Sequence, residues 1–188
     1  MVRPGTVFED PSERTEVLAT PEETGDRYRI RVTVVPGGGP GTRGSGIHTH
    51  PGLVEIFRCV SGTMTARFGR DISQLDPGNR LEIPAGIVHG FKNTGDEPLV
   101  VDVDMVFTPP GPRPEADLMA IGVAIDRLAK DGKVNRRTGF PPILQFAVIS
   151  EAHPEAMQFT GVAGLLMPSL AALGRLRGYK STFPEYDK

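Results

Sequence analysis

The feature that most constrains the fold is a series of short apolar segments, separated by turns rich in Gly and Pro, between residues 28 and 107. In the first segment, 28–35, apolar side chains alternate with Arg or Thr, which is the period of a strand with one buried face. Strands at such short intervals are typical of a sandwich or barrel. We therefore expect a mainly β protein, with strands at 28–35, 53–60, 63–68, 79–83, 87–92 and 99–107.

The segments on either side of these strands differ from them in composition. The first 24 residues are polar and rich in Pro and Glu, and an arm or edge strand is expected there. Apolar residues recur at helical spacing from Leu118 to Leu128, and a second helix is expected from about Pro154 to Leu176. The predicted domains are an N-terminal arm at 1–24, a β-barrel at 25–110 and a helical extension at 111–188 that packs on the barrel or on a partner subunit.

Charge and cysteine content restrict the partners and the compartment. With 21 basic and 23 acidic residues the net charge is −2, so no nucleic-acid surface is indicated and a small-molecule substrate is the expected partner. Cys59 is the single cysteine and cannot form an internal disulfide. Because the polar first residues lack a signal-peptide apolar region, we expect a cytoplasmic protein.

The uncharged stretch 159–174 is the most ambiguous part of the chain. We expect it to pack against the barrel or a partner subunit. The alternative is peripheral membrane contact, in which this stretch enters the interface and the basic residues that follow it meet anionic lipid. Glycines and Pro168 interrupt the stretch, which is also short for a membrane span, so membrane contact is the less favoured reading.

Three of the four histidines and one glutamate occur in two short segments, H-T-H-P-G-L-V-E at 48–55 and P-A-G-I-V-H at 84–89. On a strand, His48 and His50 project from the same face. The turn at Pro51-Gly52 interrupts the alternation of side chains between the two faces, so Glu55 can point to the same face as the two histidines. The last histidine follows a second Pro/Gly break and opens another strand. The sequence predicts that four side chains converge on one ion: His48, His50, Glu55 and His89.

Imidazole and carboxylate together suit a borderline divalent transition metal, namely Fe, Mn, Co, Ni, Cu or Zn. Calcium or magnesium would favour a cage made mostly of oxygen. A structural zinc site is normally closed by four ligands, often cysteines, whereas three His and one Glu around a six-coordinate ion leave positions free for substrate. The expected site is therefore an open, catalytic type of metal centre.

The face that carries Glu55 is otherwise apolar. A charge inside an apolar interior is costly unless it is paired or bound to an ion, which favours the metal site. We expect Phe57, Met64 and Phe91 to line the pocket beside it.

Three further polar residues are assigned no role in the site. His153 has no neighbouring candidate ligands and is expected to be an exposed loop residue near a helix start. Asp102 and Asp104 lie opposite the apolar face of the last strand, and we expect them to face solvent rather than to bind metal.

The two segments carry a family resemblance. The pattern G-x5-H-x-H-x3-4-E-x6-G matches from His48 to Gly62, although its leading glycine falls on Thr42, and G-x5-P-x-G-x2-H-x3-N matches from Gly78 to Asn93. With both motifs in order, the chain resembles a single-domain member of the cupin superfamily over about residues 25–108. The resemblance implies a double-stranded β-helix, or jelly-roll barrel, with the four side chains as metal ligands. It also implies structural roles for Gly62 and Gly78 in turns, and for Pro84 and Gly86 in the bend before His89.

The resemblance leaves several functions open. The expected one is a metal-dependent oxidoreductase of dioxygenase type acting on a small organic substrate, with Glu55 also able to serve as a base if it left the metal. The alternatives are a metal-dependent isomerase or hydrolase and a non-catalytic small-molecule binder. Because cupin-like proteins commonly pair through their sheets, a homodimer is expected.

Overall fold

A computed structural model of the chain describes residues 2–39, 47–108 and 115–183. Thr42, the one departure from the motif pattern, lies outside these ranges. Within them the strands are β1 (Val7–Glu9), β2 (Glu13–Ala19), β3 (Arg27–Val34), β4 (Leu53–Ser61), β5 (Met64–Phe68), β6 (Asp71–Leu75), β7 (Arg80–Ile83), β8 (His89–Asn93) and β9 (Leu99–Phe107). The helices are α1 (Pro21–Thr24), α2 (Glu115–Lys130), α3 (Ile143–Ala152) and α4 (Gly161–Leu176).

The strands form two antiparallel sheets. One has six strands in the order β1-β2-β3-β9-β4-β7, and the other has three in the order β6-β5-β8. Strands β3 and β4 follow each other in the chain, yet β9 lies between them and pairs with both. Such crossing connections are typical of a jelly roll. The mainly β fold class with a C-terminal helical extension is therefore confirmed.

The core lies on the inner face of the six-stranded sheet. Ile30 of β3 is paired with Val103 of β9, which is paired in turn with Phe57 of β4, and all three are at most 5% exposed. Because paired residues share a face, this row forms a continuous apolar surface across three strands. Burying each such side chain contributes about 1.5–3 kcal/mol to folding.

Every predicted strand is present, with ends within two residues of the expected ones. Strand β6 was not predicted, because its side chains mostly face solvent. Ile72 is 73% exposed and Leu75 is the one buried residue of the strand, so no alternating pattern exists to reveal it. At the N-terminus, β1 and β2 form the edge of the large sheet, with β2 paired to β3.

The observed helices differ in part from those predicted from the sequence. The first predicted helix is confirmed as α2, but the start of the second at Pro154 is wrong, because α4 begins at Gly161. Helix α3 was missed altogether. Its residues 145–150 are all buried, so it has no polar face and no amphipathic period for the sequence to display.

Helices α3 and α4 pack closely together. A Cβ atom at Gly174 would lie 2.6 Å from Val148 Cγ2, so this approach requires glycine. In the structure the opposite side of α4 is exposed, and its exposed apolar side chains are Val162, Leu165, Leu166, Leu173 and Leu176. Among the described residues, no helix has the length and apolar character that crossing a membrane requires.

Candidate metal centre

His48 and His89 are brought together by backbone pairing. The N–H of His48 donates to the carbonyl of His89 over 3.0 Å, and the N–H of His89 donates to the carbonyl of His48 over 2.8 Å. Directly paired residues of antiparallel segments share a face, so the two imidazoles project to the same side. His50 shares that face two residues later, and its carbonyl accepts a bond from Gly86 N–H. Gly86 has φ +78°, which favours glycine in this bend.

Glu55 reaches the same side through the turn at Pro51-Gly52. The turn ends at Leu53, where β4 begins, and its position is held by a 3.0 Å bond from Thr108 N–H to the carbonyl of Gly52. From there Leu53, Glu55 and alternate residues are buried. The carboxylate of Glu55 therefore points into the interior of the fold.

The structure brings all four predicted ligands together, and all four residues are buried. One ring nitrogen from each of His48, His50 and His89 lies within 4.8 Å of the other two. The Nε2 atoms of His48 and His50 are 3.1 Å apart. The Glu55 oxygens lie 3.6 Å from His50 Nε2 and 2.6 Å from His89 Nε2.

Two of these atoms are suited to a shared ligand. Glu55 Oε2 and His89 Nε2 are fully buried, and neither makes a hydrogen bond of normal geometry with another described atom. A buried polar atom without such a bond costs about 1–3 kcal/mol. A cation bound by both atoms would remove that cost, so the residues present fit a divalent metal ion.

Main-chain carbonyls orient two of the rings. The Nδ1–H of His50 donates to the carbonyl of Ala156, and the Nδ1–H of His89 donates to the carbonyl of Ile87 over 2.7 Å. With the proton on Nδ1, the Nε2 lone pair is free to face the centre. This is the tautomer that metal binding through Nε2 requires.

The electrostatics of the centre favour an ionised carboxylate. Burial raises the pKa of Glu55, but the charge of His50 and the contact with His89 outweigh burial and lower it to about 2. Burial lowers the pKa of His50, and this effect exceeds the attraction of Glu55. Burial also acts to lower the pKa of His89, but its contact with Glu55 raises the pKa overall. A metal ion must therefore compete with a proton mainly at His89.

A cavity of about 470 Å³ opens from the centre. Phe57 and Phe91 line it, with ring centroids 5.4 Å apart. Met64 does not line it: it is fully buried and paired with Asn93, at the opposite end of β5 from Phe68, which is paired with His89. Much of the remaining wall is apolar and comes from β3, β9 and the helical region, including Ile30, Val32, Val103, Met105, Met119 and Phe146.

The cavity also reveals residues that the sequence reading missed. Met119, Phe146 and Met157 belong to the helical region, and Glu13 belongs to β2. Glu13 lies on the same face of β2 as the buried Val17, and this spacing could have identified it from the sequence. The carbonyl of Ala156 had no sequence signal, because any residue presents the same backbone atom.

Two sequence interpretations of polar residues are wrong. His153 was expected to be an exposed loop residue, but it is only 7% exposed. It lies at the C-terminal end of α3, where the connector to α4 begins. Asp104 is fully buried, because Arg29 and Arg58 cover it at 2.6 and 2.9 Å. Asp102 is 21% exposed and is paired with Arg31.

Comparison with known families agrees with this geometry. A family model described as "Cupin domain" matches residues 32–108, which contain β4 to β9 and all four predicted ligands. Residues 32–108 form a cupin domain. Strands β1 and β2 and the helices of this cupin lie outside the matched residues.

Several solved structures are similar to this cupin, while no curated protein matches it. A predicted oxalate decarboxylase from Thermotoga maritima has 18% identity and a TM-score of 0.49, with 57% of this chain and 100% of the other covered. KdgF from Halomonas sp. has 20% identity and a TM-score of 0.45, with 55% and 88% covered. Oxalate decarboxylase from Bacillus subtilis has 21% identity and a TM-score of 0.47, with 54% and 27% covered. These values are too low to transfer an activity or a substrate.

Proposed function

We propose that the protein is a metal-dependent oxidoreductase of dioxygenase type that acts on a small, largely apolar organic substrate. The observation that carries the proposal is the location of the three histidines and Glu55 at a cavity of about 470 Å³ with a largely apolar wall. This arrangement supports a ligand that touches the metal centre with one end and apolar side chains with the rest.

The proposed ligands are His48, His50, Glu55 and His89. A bound Fe, Mn, Co, Ni, Cu or Zn ion would supply a Lewis-acid centre with exchangeable positions, and the redox-active ions among these would also supply electron transfer. The carbonyls of Ala156 and Ile87 accept from the Nδ1–H groups of His50 and His89 and so direct the two Nε2 atoms inward. Glu55, with a pKa of about 2, is ionised at neutral pH and balances part of the ion's charge.

The predicted catalytic role of Glu55 as a base stays a prediction. A group with a pKa of about 2 is a weak proton acceptor near neutrality, so the role of ligand suits Glu55 better. Phe57 and Phe91 are proposed to exclude water and to orient the substrate beside the ion.

Metal analysis combined with oxygen uptake tests the proposal. Protein purified without added metal is first analysed for its elements. The iron, manganese, nickel and copper forms are then compared in air and without oxygen over phenolics, flavonols, diketones and thiols. We expect oxygen consumption with at least one substrate class, and none with the His50→Ala variant.

The alternative functions give different results. A native zinc ion with turnover that needs no oxygen would overturn the oxidoreductase and favour an isomerase or hydrolase. Tight ligand binding without turnover would favour a non-catalytic binder. The homodimer, the cytoplasmic location and the absence of a nucleic-acid partner stay predictions, and sedimentation equilibrium measures the first of them.

A further inference from the structure

Glu13 lies in the same cavity as the metal centre but far from it along the sheet. Glu13 is paired with Val34, at one end of β3, whereas Glu55 is paired with Met105, which is paired with Tyr28 near the other end. The six residue steps from Tyr28 to Val34 correspond to roughly 20 Å along the strand. Glu13 and the metal centre therefore mark two separated polar regions of one cavity.

The part of the wall that β3 and β9 supply between these two regions is apolar, and Thr15 of β2, paired with Val32, is a polar residue beside it. Ile30 and Val32 of β3 and Val103 of β9 line the cavity and are at most 5% exposed. A ligand that extends from the metal centre towards Glu13 passes these side chains and gains only apolar contacts from them. Contact with Glu13 is then available only when the apolar body of the ligand is long enough.

The carboxylate of Glu13 has no partner among the described residues, whereas the carboxylates of Asp10 and Asp126 are engaged. Asp10 accepts bonds from the N–H and hydroxyl of Ser12 and from the N–H of Glu13. On α2, Asp126 accepts from Glu9 N–H at 3.1 Å and from Lys130 Nζ at 2.7 Å. Glu13 thus differs from Asp10 and Asp126 in having oxygens open to a ligand, and from the exposed Glu9, which also lines the cavity, in being partly buried.

Burial, followed by repulsion from Asp10, raises the pKa of Glu13 to about 7. A carboxyl kept partly buried without a partner costs stability, and such groups are concentrated at functional sites. At neutral pH both the acceptor and the donor form of Glu13 are populated, so the group can bind a hydroxyl in either form.

We propose that Glu13 is a substrate-binding residue that hydrogen-bonds the distal hydroxyl of an elongated apolar ligand whose other end carries a carboxylate or carbonyl for the metal centre. The inference rests on the proposed function for the metal-bound end. It adds the substrate class, which is an apolar body with oxygen groups at both ends.

Paired probes of equal length test the inference by isothermal titration of the metal-loaded full chain. The probes are octanoate, decanoate and dodecanoate, each compared with its ω-hydroxy counterpart. We expect the best-fitting hydroxy acid to bind about tenfold more tightly than its parent, as one hydrogen bond to a charged group allows. Glu13→Leu should abolish that preference, while Glu13→Gln, which retains an acceptor oxygen, should keep part of it.

Glu16→Gln is the matched control. Glu16 lies on the same strand, forms a 2.9 Å ion pair with Arg14 and does not line the cavity, so its substitution should leave the preference unchanged. Circular dichroism and metal content identify variants that fold and load normally. Equal binding of both probes by the unmodified protein, no binding of either, or a preference that survives Glu13→Leu would overturn the inference. Normal metal content with any of these results leaves the proposed function standing, whereas failure to bind metal overturns the proposed function itself.

Discussion

The Nδ1–H of His50 donates to the main-chain carbonyl of Ala156, which lies 106 residues farther along the chain. The connector between α3 and α4 is held there by two 2.9 Å backbone bonds between Thr49 and Gln158. The helical extension therefore orients a ligand of the candidate metal centre, although it lies outside the matched family residues. Outer contacts of this kind typically change metal affinity by about 10- to 100-fold.

Removing the backbone bond at Gln158 tests this connection. Gln158→Pro deletes the N–H that donates to Thr49, so the connector and the carbonyl of Ala156 should shift and metal affinity should fall about 10- to 100-fold. Gln158→Ala is the control, because it keeps the N–H and loses only the side-chain bond to Pro154. Competition with a chelator measures both affinities. Unchanged affinity in a folded Gln158→Pro protein would contradict the orienting role.

Metal stoichiometry should depend on three histidines and not on the fourth. His48→Ala, His50→Ala or His89→Ala should reduce affinity by more than the roughly 10- to 100-fold expected for an outer contact, because each removes a donor nitrogen. His153→Gln should retain one ion per chain. Elemental analysis after dialysis, with circular dichroism as the folding check, measures the difference. Full metal content in the His50→Ala protein would exclude the proposed centre.

Glu13 should destabilise the fold as pH rises. Its folded pKa of about 7 lies above the ordinary pKa of 4.5, so the native state binds more protons between these two pH values and stability falls across that window. Asp10 on the adjoining turn contributes to the shift, while Asp126 of α2 is neutralised by Lys130. At pH 8, Glu13→Gln should therefore raise the free energy of unfolding, measured by urea denaturation, by about 1–3 kcal/mol. Near pH 4 the substitution should give no such gain. An equal gain in stability at pH 8 and at pH 4 would contradict the raised pKa of Glu13.

Asp104 should contribute more to stability than Asp102. Burial acts to raise the pKa of Asp104, but hydrogen bonds from Arg29 and Arg58 outweigh burial and lower it. The contribution of Asp104 to stability is therefore fully present above its unfolded-state pKa of 3.8 and is lost as the pH falls through its lower folded-state pKa. Asp104→Asn should cost about 2–4 kcal/mol at pH 7, whereas Asp102→Asn, at a half-exposed pair, should cost about 1 kcal/mol or less. Urea denaturation of both variants measures the difference, and equal losses would contradict the burial argument.

The sequence predicted those parts of the fold that depend on local patterns. Strand β9 was predicted at its observed ends because its apolar residues alternate without interruption from Leu99 to Phe107. Helix α3 could not be predicted in this way, since burial on all sides removes the periodic signal. The position of Asp104 was misjudged because alternation assigns a residue to the outer face but does not say whether arginines cover it there.

For the candidate centre, residue types and spacing were enough to nominate His48, His50, Glu55 and His89, because strand parity and a turn are local properties of the chain. Only the tertiary structure decided what surrounds them. The carbonyl of Ala156, the apolar wall from the helical region and the open carboxylate of Glu13 reach the cavity from segments distant in the chain. Local spacing carries no information about such contacts, because packing between sheets and helices determines them.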